Sequence, residues 1–228
     1  MNGNDKPTYR LGSWLGREDW PVWLLFVLCL VGAAVVYPRL PARLPVHWDV
    51  AGNVNGWGGK LGVAFGGLGL VFGLYLVLVL VPLIDPRRAN YAKFRPTLRV
   101  VRAAVTVVML VVWGVCLTAG MGVNAQVDRI VPAAIAVLLI VLGNLLGRIR
   151  YNWFFGVRTP WSLSSEEAWR RTHRAAGPAL VLSGAIALVG AVIGGAWAAW
   201  AMVIGVGGAS VFAVVYSYVA FRRTTRDA

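Results

Sequence analysis

Six apolar runs, each close to the length that crosses a bilayer as a helix, constrain this chain more than any other feature. They are Trp20–Tyr37, Leu61–Ile84, Val100–Gly120, Ile130–Leu146, Gly177–Ile193 and Ala198–Phe221. A run of about 18 or more apolar residues covers the hydrocarbon core. The fourth and fifth runs are the shortest. Backbone polar groups in lipid must be satisfied within a helix or a closed barrel. These runs lack the alternation of barrel strands, which are about ten residues long. The expectation is an all-α membrane protein with six transmembrane helices.

Charge sets the orientation. The chain is 58% hydrophobic and 14% charged, with a formal net charge of +13. Soluble domains carry about 25% charged residues. With both termini cytoplasmic, the inner segments hold eighteen of the 22 Lys and Arg: Lys6, Arg10 and Arg17, five residues in Arg87–Arg99, Arg102, six in Arg148–Arg174, and Arg222, Arg223 and Arg226. Arg39, Arg43, Lys60 and Arg129 remain outside. This is the positive-inside pattern. It accounts for the basic excess through topology and attraction to anionic lipid. Membrane lipid is therefore an expected partner, and no direct nucleic acid is. Arg102, at the start of the third span, is expected to snorkel to the headgroups.

Cys29 and Cys116 fall inside spans, and no CxxC or Cys/His cluster is present. Neither a disulfide framework nor a metal site follows, and no cofactor is implied. Glu18 and Asp19 directly precede the first run, which reads as an uncleaved span. The chain divides into a cytoplasmic N-terminus (1–19), two spans (20–84) flanking an outer segment (38–60), and a basic inner loop with the third span and a short outer loop (85–129). A C-terminal module (130–221) and a cytoplasmic tail (222–228) complete it. The glycine pairs Gly62/Gly66, Gly69/Gly73, Gly143/Gly147 and Gly190/Gly194 each share a helix face and suit close helix packing. They read first as intramolecular contacts and leave a homo-oligomer open.

The inner loop between the fourth and fifth spans is dense in polar and aromatic residues. Ser164 and Glu167 predict a capping box and an amphipathic cytoplasmic helix of about three turns that runs to Ala176, where Gly177-Pro178 interrupts it or hands it over to the fifth span. Trp169, Thr172, His173 and Ala176 share one face of it. Glu166/Arg170 and Glu167/Arg171 form ion pairs on the other. Arg158, flanked by apolar stretches, needs a carboxylate, carbonyls or an anionic ligand to offset its desolvation. Asn144, Arg148, Asn152, Arg158, Trp161, Trp169, Thr172 and His173 are the candidate inner-face site for a ligand or partner. An all-structural reading competes: tryptophans as interfacial anchors, Asn144 and His173 as helix ties.

In the outer segment, Val46, Trp48 and Val50 alternate with His47 and Asp49, which suits a short strand, with a turn at Ala51-Gly52-Asn53. One His and one Asp are too few for a metal. His47, Trp48, Asp49 and Trp57 are the candidate outer ligand contacts.

These residues resemble the SdpI-type bacterial immunity membrane proteins, which carry a domain of unknown function at the front. The front is matched by Leu44-Pro45, His47-Trp48, Gly52, Asn55-Gly56-Trp57 and Lys60. The middle is matched by Asp85-Pro86-Arg87, Asn90-Tyr91 and Phe94. The C-terminal half is matched by Gly143-Asn144, Asn152, Gly156, Arg158-Thr159-Pro160-Trp161, Leu163, Trp169 and Thr172-His173. Ser162 stands where Thr is expected and keeps the hydroxyl. Val157 replaces an Ile. The resemblance implies a multi-pass protein of the bacterial cell membrane. Its partners would be a secreted peptide toxin, against which it protects, and a cytoplasmic repressor held at the inner face.

Two other function classes compete. A membrane enzyme acting on a lipid-linked or phosphate-bearing substrate would use Asn144, Arg158 and His173. However, no catalytic motif is present, and no catalytic residue is assigned. A small transporter would ordinarily keep an ionisable group within its bundle, whereas Asp85 and Asp128 lie at span ends.

Overall fold

All six runs are helices in the computed structural model of the chain, which describes residues 17–226. They are α1 (Trp20–Val36), α2 (Gly67–Ile84), α3 (Arg95–Gly120), α4 (Val127–Leu146), α5 (Glu166–Ile193) and α6 (Ala196–Arg226). With their short flanking turns, all six are long and apolar enough to cross a membrane. Lys6, Arg10 and the last two residues of the expected tail lie outside the described residues. Each helix packs on the next in sequence, and α5 packs along both α4 and α6. One end of the bundle is rich in Arg: there α2 and α4 finish and α3 and α5 begin. This is the basic end. The other is the hairpin end.

The all-α expectation lacks one element. A two-stranded antiparallel sheet, β1 (Arg43–Trp48) and β2 (Val54–Gly59), joins α1 to α2. The alternation around Trp48 predicts one strand. Its partner, Val-Asn-Gly-Trp-Gly-Gly, is hidden by glycine, which is depleted in strands. Space explains two of these glycines. A Cβ on Gly56 would lie 2.8 Å from the His47 Cβ, and one on Gly58 would lie 2.7 Å from a Val63 methyl. Leu44 of β1 is fully buried and fills the room left by Gly120 of α3, where a Cβ would meet its side chain at 2.8 Å.

Between β2 and α2, Gly62–Gly66 form a π-helical turn. The Trp113 indole N–H of α3 donates to two carbonyls of this turn, Val63 O at 3.0 Å and Ala64 O at 3.2 Å.

Arg102 does not snorkel. It is 1% exposed and donates from Nη2 to both Asp19 oxygens at 3.2 and 3.3 Å. Asp19 is itself the residue before α1, and Glu18 beside it pairs with Arg99 and Arg95. The two acids next to the first span thus neutralise the first turns of α3, tying the start of the chain's first helix to its third.

The glycine pairs divide. A Cβ on Gly143 of α4 would lie 2.7 Å from Gly177 O of α5, and one on Gly177 would lie 2.8 Å from Gly143 O. The two backbones touch there, next to Pro178, which lacks an N–H for the Arg174 carbonyl. Neighbouring helices make such a proline tolerable in a span. Of the two outcomes expected at Gly177-Pro178, the handover holds: the helix runs unbroken into the fifth span as α5. Gly184 and Gly190 make similar approaches to α4 and α6, whereas Gly62, Gly66, Gly69 and Gly73 meet nothing within 4 Å. Gly143→Ala is expected to cost about 1–3 kcal/mol through overpacking, read as a lower unfolding temperature in detergent micelles. Gly73→Ala serves as the neutral comparison.

Candidate functional site

The basic end is built from two interlocked loops. Asp85, at the C-terminus of α2, is 2% exposed. Its Oδ1 accepts from Arg87 N at 2.7 Å, and its Oδ2 accepts from the Tyr91 hydroxyl at 2.6 Å and Trp153 N at 2.9 Å. One carboxylate thus orders its own loop and captures the loop beyond α4. Arg87 returns the grip. Its guanidinium lies 3.7 Å from the Tyr151 ring centroid and 5.0 Å from that of Trp153, and it donates to the Tyr151 hydroxyl at 2.8 Å. Asn90 Nδ2 donates to Tyr151 O at 2.9 Å. A planar guanidinium can stack and donate at once, and an ammonium cannot. Arg87→Lys is therefore expected to cost about 1–2 kcal/mol, measurable in the same unfolding assay.

Asn152 is fully buried. Its Oδ1 accepts from Phe154 N at 2.8 Å and Phe155 N at 2.6 Å, while Nδ2 donates to Arg150 O at 2.8 Å and Phe155 O at 3.0 Å. The loop is folded around this one amide. Downstream, Thr159 and Ser162 exchange backbone and side-chain hydrogen bonds at 2.9 and 3.0 Å. The Thr159 hydroxyl reaches Ser217 of α6 at 2.8 Å. The Ser162 hydroxyl donates to Val157 O at 2.7 Å, a role that the expected Thr would also fill.

The start of α5 departs from the capping box. Ser165, not Ser164, is the N-cap, accepting from Ala168 N at 3.1 Å. Glu167 is occupied by Arg170 at 2.7 Å and Arg171 at 2.6 Å. The expected Glu166/Arg170 pair gives way to this Glu167 fork. The predicted Trp169–Thr172–His173–Ala176 face is buried. Trp169 Nε1 donates to Ile149 O at 2.9 Å, and its ring stacks on His173 at 3.9 Å.

Both His173 nitrogens are engaged. Nδ1 lies 2.9 Å from Trp169 O, and Val157 N donates to Nε2 at 2.9 Å. A carbonyl only accepts and an amide N–H only donates, so the ring is neutral with its proton on Nδ1. The 15N shifts of a His-labelled sample in micelles near pH 7 are expected to show that tautomer. Gly156 makes the approach possible. Its φ is +111°, and a Cβ there would sit 2.1 Å from His173 Nε2.

The eight predicted residues do not line a single cavity. Asn152, Trp169, Thr172 and His173 are buried. Asn144 and Arg148 are exposed, and Asn144 donates to Ile140 O one turn back at 2.8 Å. The Arg158 backbone follows the His173 contact, but its side chain is exposed and donates to Trp153 O at 3.2 Å. Asn144 and His173 line a groove of about 550 Å³ between α4 and α5. Arg158 and Thr159 line a crevice of about 280 Å³ between α5 and α6. Trp161 packs edge-on to Tyr218 at 5.2 Å. Sequence reasoning did not include Asp85, Arg87, Asn90 and Tyr91 in the site. Their signal was available: four polar groups in seven residues at the end of an apolar run, in a segment that carries the family resemblance.

At the hairpin end, His47 Nδ1 bonds Asn55 Oδ1 at 2.5 Å across the strands. The Asp49 carboxylate closes the turn, accepting from Ala51 N and Asn53 N at 2.9 Å and from Asn53 Nδ2 at 3.1 Å. These bonds, Asn53 N first, hold its carboxyl below the usual carboxylate value of 3.8. The linkage has the depressed-acid sign: the turn gains full support above that value and loses it as pH falls through the lower folded one. The protection factors of the Ala51 and Asn53 amides, with the intrinsic pH dependence of exchange divided out, are expected to be flat from neutral pH to about 5 and to fall only below 3.8. His47, Trp48 and Asp49 line a crevice of about 310 Å³ with α3, α4 and α6, and Trp57 projects outward beside a second of about 420 Å³. Among the described residues no group of three His, Cys, Asp or Glu is placed to hold a metal.

The comparisons with known proteins follow these two ends. The domain of unknown function DUF1648 matches residues 24–71, which hold most of α1, the hairpin and the start of α2. The SdpI/YfhL protein family matches residues 148–217, the loop around Asn152 with α5 and most of α6. Immunity protein SdpI of Bacillus subtilis (strain 168) is 23% identical over 201 residues, spanning 87% of this chain and 94% of that protein. Together these matches support an SdpI-type family for the chain. No solved structure matches it. With this similarity and six apolar spans, it is a multi-pass protein of the cell membrane. The two interlocked loops form a latch: its Asp85–Phe94 half lies between the two family matches, and its partner loop lies within the second.

Proposed function

We propose that this protein is an immunity protein, protecting the cell that carries it from a secreted antimicrobial peptide, with both termini in the cytoplasm. The observation that carries this reading is the match to Immunity protein SdpI along nearly the full length of both chains, covering both ends of the bundle. The site chemistry supports binding over catalysis. Asp85 and His173, the buried groups suited to move protons, have their polar atoms committed to fixed partners. The orientation rests on the basic end, where α3 and α5 begin and α6 finishes among Arg residues. A peptide arriving from outside would meet the hairpin and the two crevices beside Trp48 and Trp57. The exposed Arg148, Arg150, Arg170 and Arg174 would face a cytoplasmic regulator of acidic character. The test is survival of a peptide-sensitive strain expressing the full chain, challenged with a panel of secreted peptides. Protection against at least one is expected, and killing equal to the empty vector across the panel overturns the reading.

A further inference from the structure

Between α5 and α6, at the level where α4 ends, lies the crevice of about 280 Å³ whose rim carries Arg158. Its walls are apolar: Leu146 of α4, Val157, Leu180 of α5, and Ala213 and Val214 of α6. The Thr159 hydroxyl beside it is already bonded to Ser217. The Arg158 guanidinium is exposed, and only its Nη1 is engaged, at the Trp153 carbonyl. No carboxylate among the described residues pairs with it. Both long helices continue past this level. The start of α5 is ten residues before Ala176, and the end of α6 is twelve residues after Val214, or roughly 15 and 18 Å along their axes. The crevice therefore sits where the short span α4 leaves the apolar layer, at headgroup depth. The flank of α6 beside it is lipid-facing, with Val211 65% and Val215 58% exposed.

We propose that this crevice holds one anionic phospholipid, with its phosphate on the Arg158 guanidinium and a segment of acyl chain between α5 and α6. Arg matches phosphate through paired donors, and the apolar walls match the chain. The volume is at the lower edge of small-ligand sites, about 300–1,000 Å³, so it takes part of a chain and leaves the rest in bilayer. The proposal is independent of peptide immunity.

The test uses the full chain in phosphatidylcholine nanodiscs containing a few per cent phosphatidylglycerol with a photoreactive acyl chain. Crosslinks mapped by mass spectrometry are expected at Leu180, Ser210 and Val214. Arg158→Gln, at an exposed position, is expected to lower their yield about fivefold, the effect of roughly one cationic contact. Arg158→Lys should retain part of the yield. Ser210→Leu, also exposed, keeps the charge but fills the crevice, and should lower the yield as well. Arg223→Gln is the control for diffuse charge. Equal losses in Arg158→Gln and Arg223→Gln overturn the proposal, as does unchanged yield in Arg158→Gln. Displacement of the lipid by millimolar inorganic phosphate also overturns it, since it would show that the site binds the anion without the chain.

Discussion

Gly156→Ala is expected to release the 148–163 loop from α5. Two effects act at one position. The backbone sits at φ +111°, a region that L side chains rarely adopt, at a cost of about 1–3 kcal/mol. The added methyl would also fall 2.1 Å from His173 Nε2, displacing the ring from the Val157 amide that it accepts and from its stack on Trp169. Leaving that buried N–H unpaired adds about 1–3 kcal/mol. The Trp169 fluorescence is not resolved from that of the other tryptophans in a chain that holds 11 of them. Limited proteolysis is the better measurement. Cleavage within 150–163 should appear in Gly156→Ala and be absent from the wild-type chain. Resistance equal to wild type would mean that His173 yields easily and the latch is not rigid.

Asp85→Ala is expected to be comparable in size but to act through the other loop. It strands the Trp153 and Arg87 amides and leaves the Tyr91 hydroxyl only its longer contact to Asn152 Oδ1 at 3.3 Å. At about 1–3 kcal/mol per orphaned buried donor, the loss is about 3–5 kcal/mol after partial rehydration. Asp85→Asn should fall between, because one of its two terminal atoms becomes a donor facing donors. Thermal unfolding in micelles should rank wild type above Asp85→Asn above Asp85→Ala. A ranking that puts Asn level with wild type would show that the carboxylate's second acceptor is dispensable. Tyr91→Phe isolates the hydroxyl and should cost about 1 kcal/mol, since it leaves Asp85 with its two backbone donors.

The spans were legible because a bilayer leaves little choice: an apolar run of that length is a helix. Their ends were less so. The third and fifth helices extend beyond their apolar runs: Pro96 stands in the first turn of α3, where a proline is tolerated, and Arg95, Arg99, Arg170 and Arg171 are paired with Glu18 and Glu167 rather than set in lipid. The shared face of Trp169, Thr172 and His173 followed from spacing alone. What spacing did not carry was the company that this face keeps. Asp85 and Tyr91 lie some sixty residues from Asn152 and Trp153, and no local pattern links them. Gly156 combines positive φ with close approach to His173, and a glycine in the sequence marks such a position without naming the neighbour. Arg158 was singled out for the cost of burying its charge, yet the fold avoids that cost by leaving the side chain at the rim. Arg102 went the other way: a residue expected to escape to the headgroups is buried because Asp19, next to the first span, reaches it.

The central claim is that this chain protects a cell from a secreted peptide through a bundle whose basic end is held shut by the Asp85 and Gly156–His173 contacts. The most direct measurement is peptide killing of a sensitive strain expressing wild type, Gly156→Ala or no protein, with the amount in the membrane quantified in each. The account predicts that wild type survives a peptide that kills the empty strain, and that Gly156→Ala at equal membrane abundance survives less. Wild-type protein abundant in the membrane, with killing indistinguishable from the empty strain for every peptide tried, would contradict it.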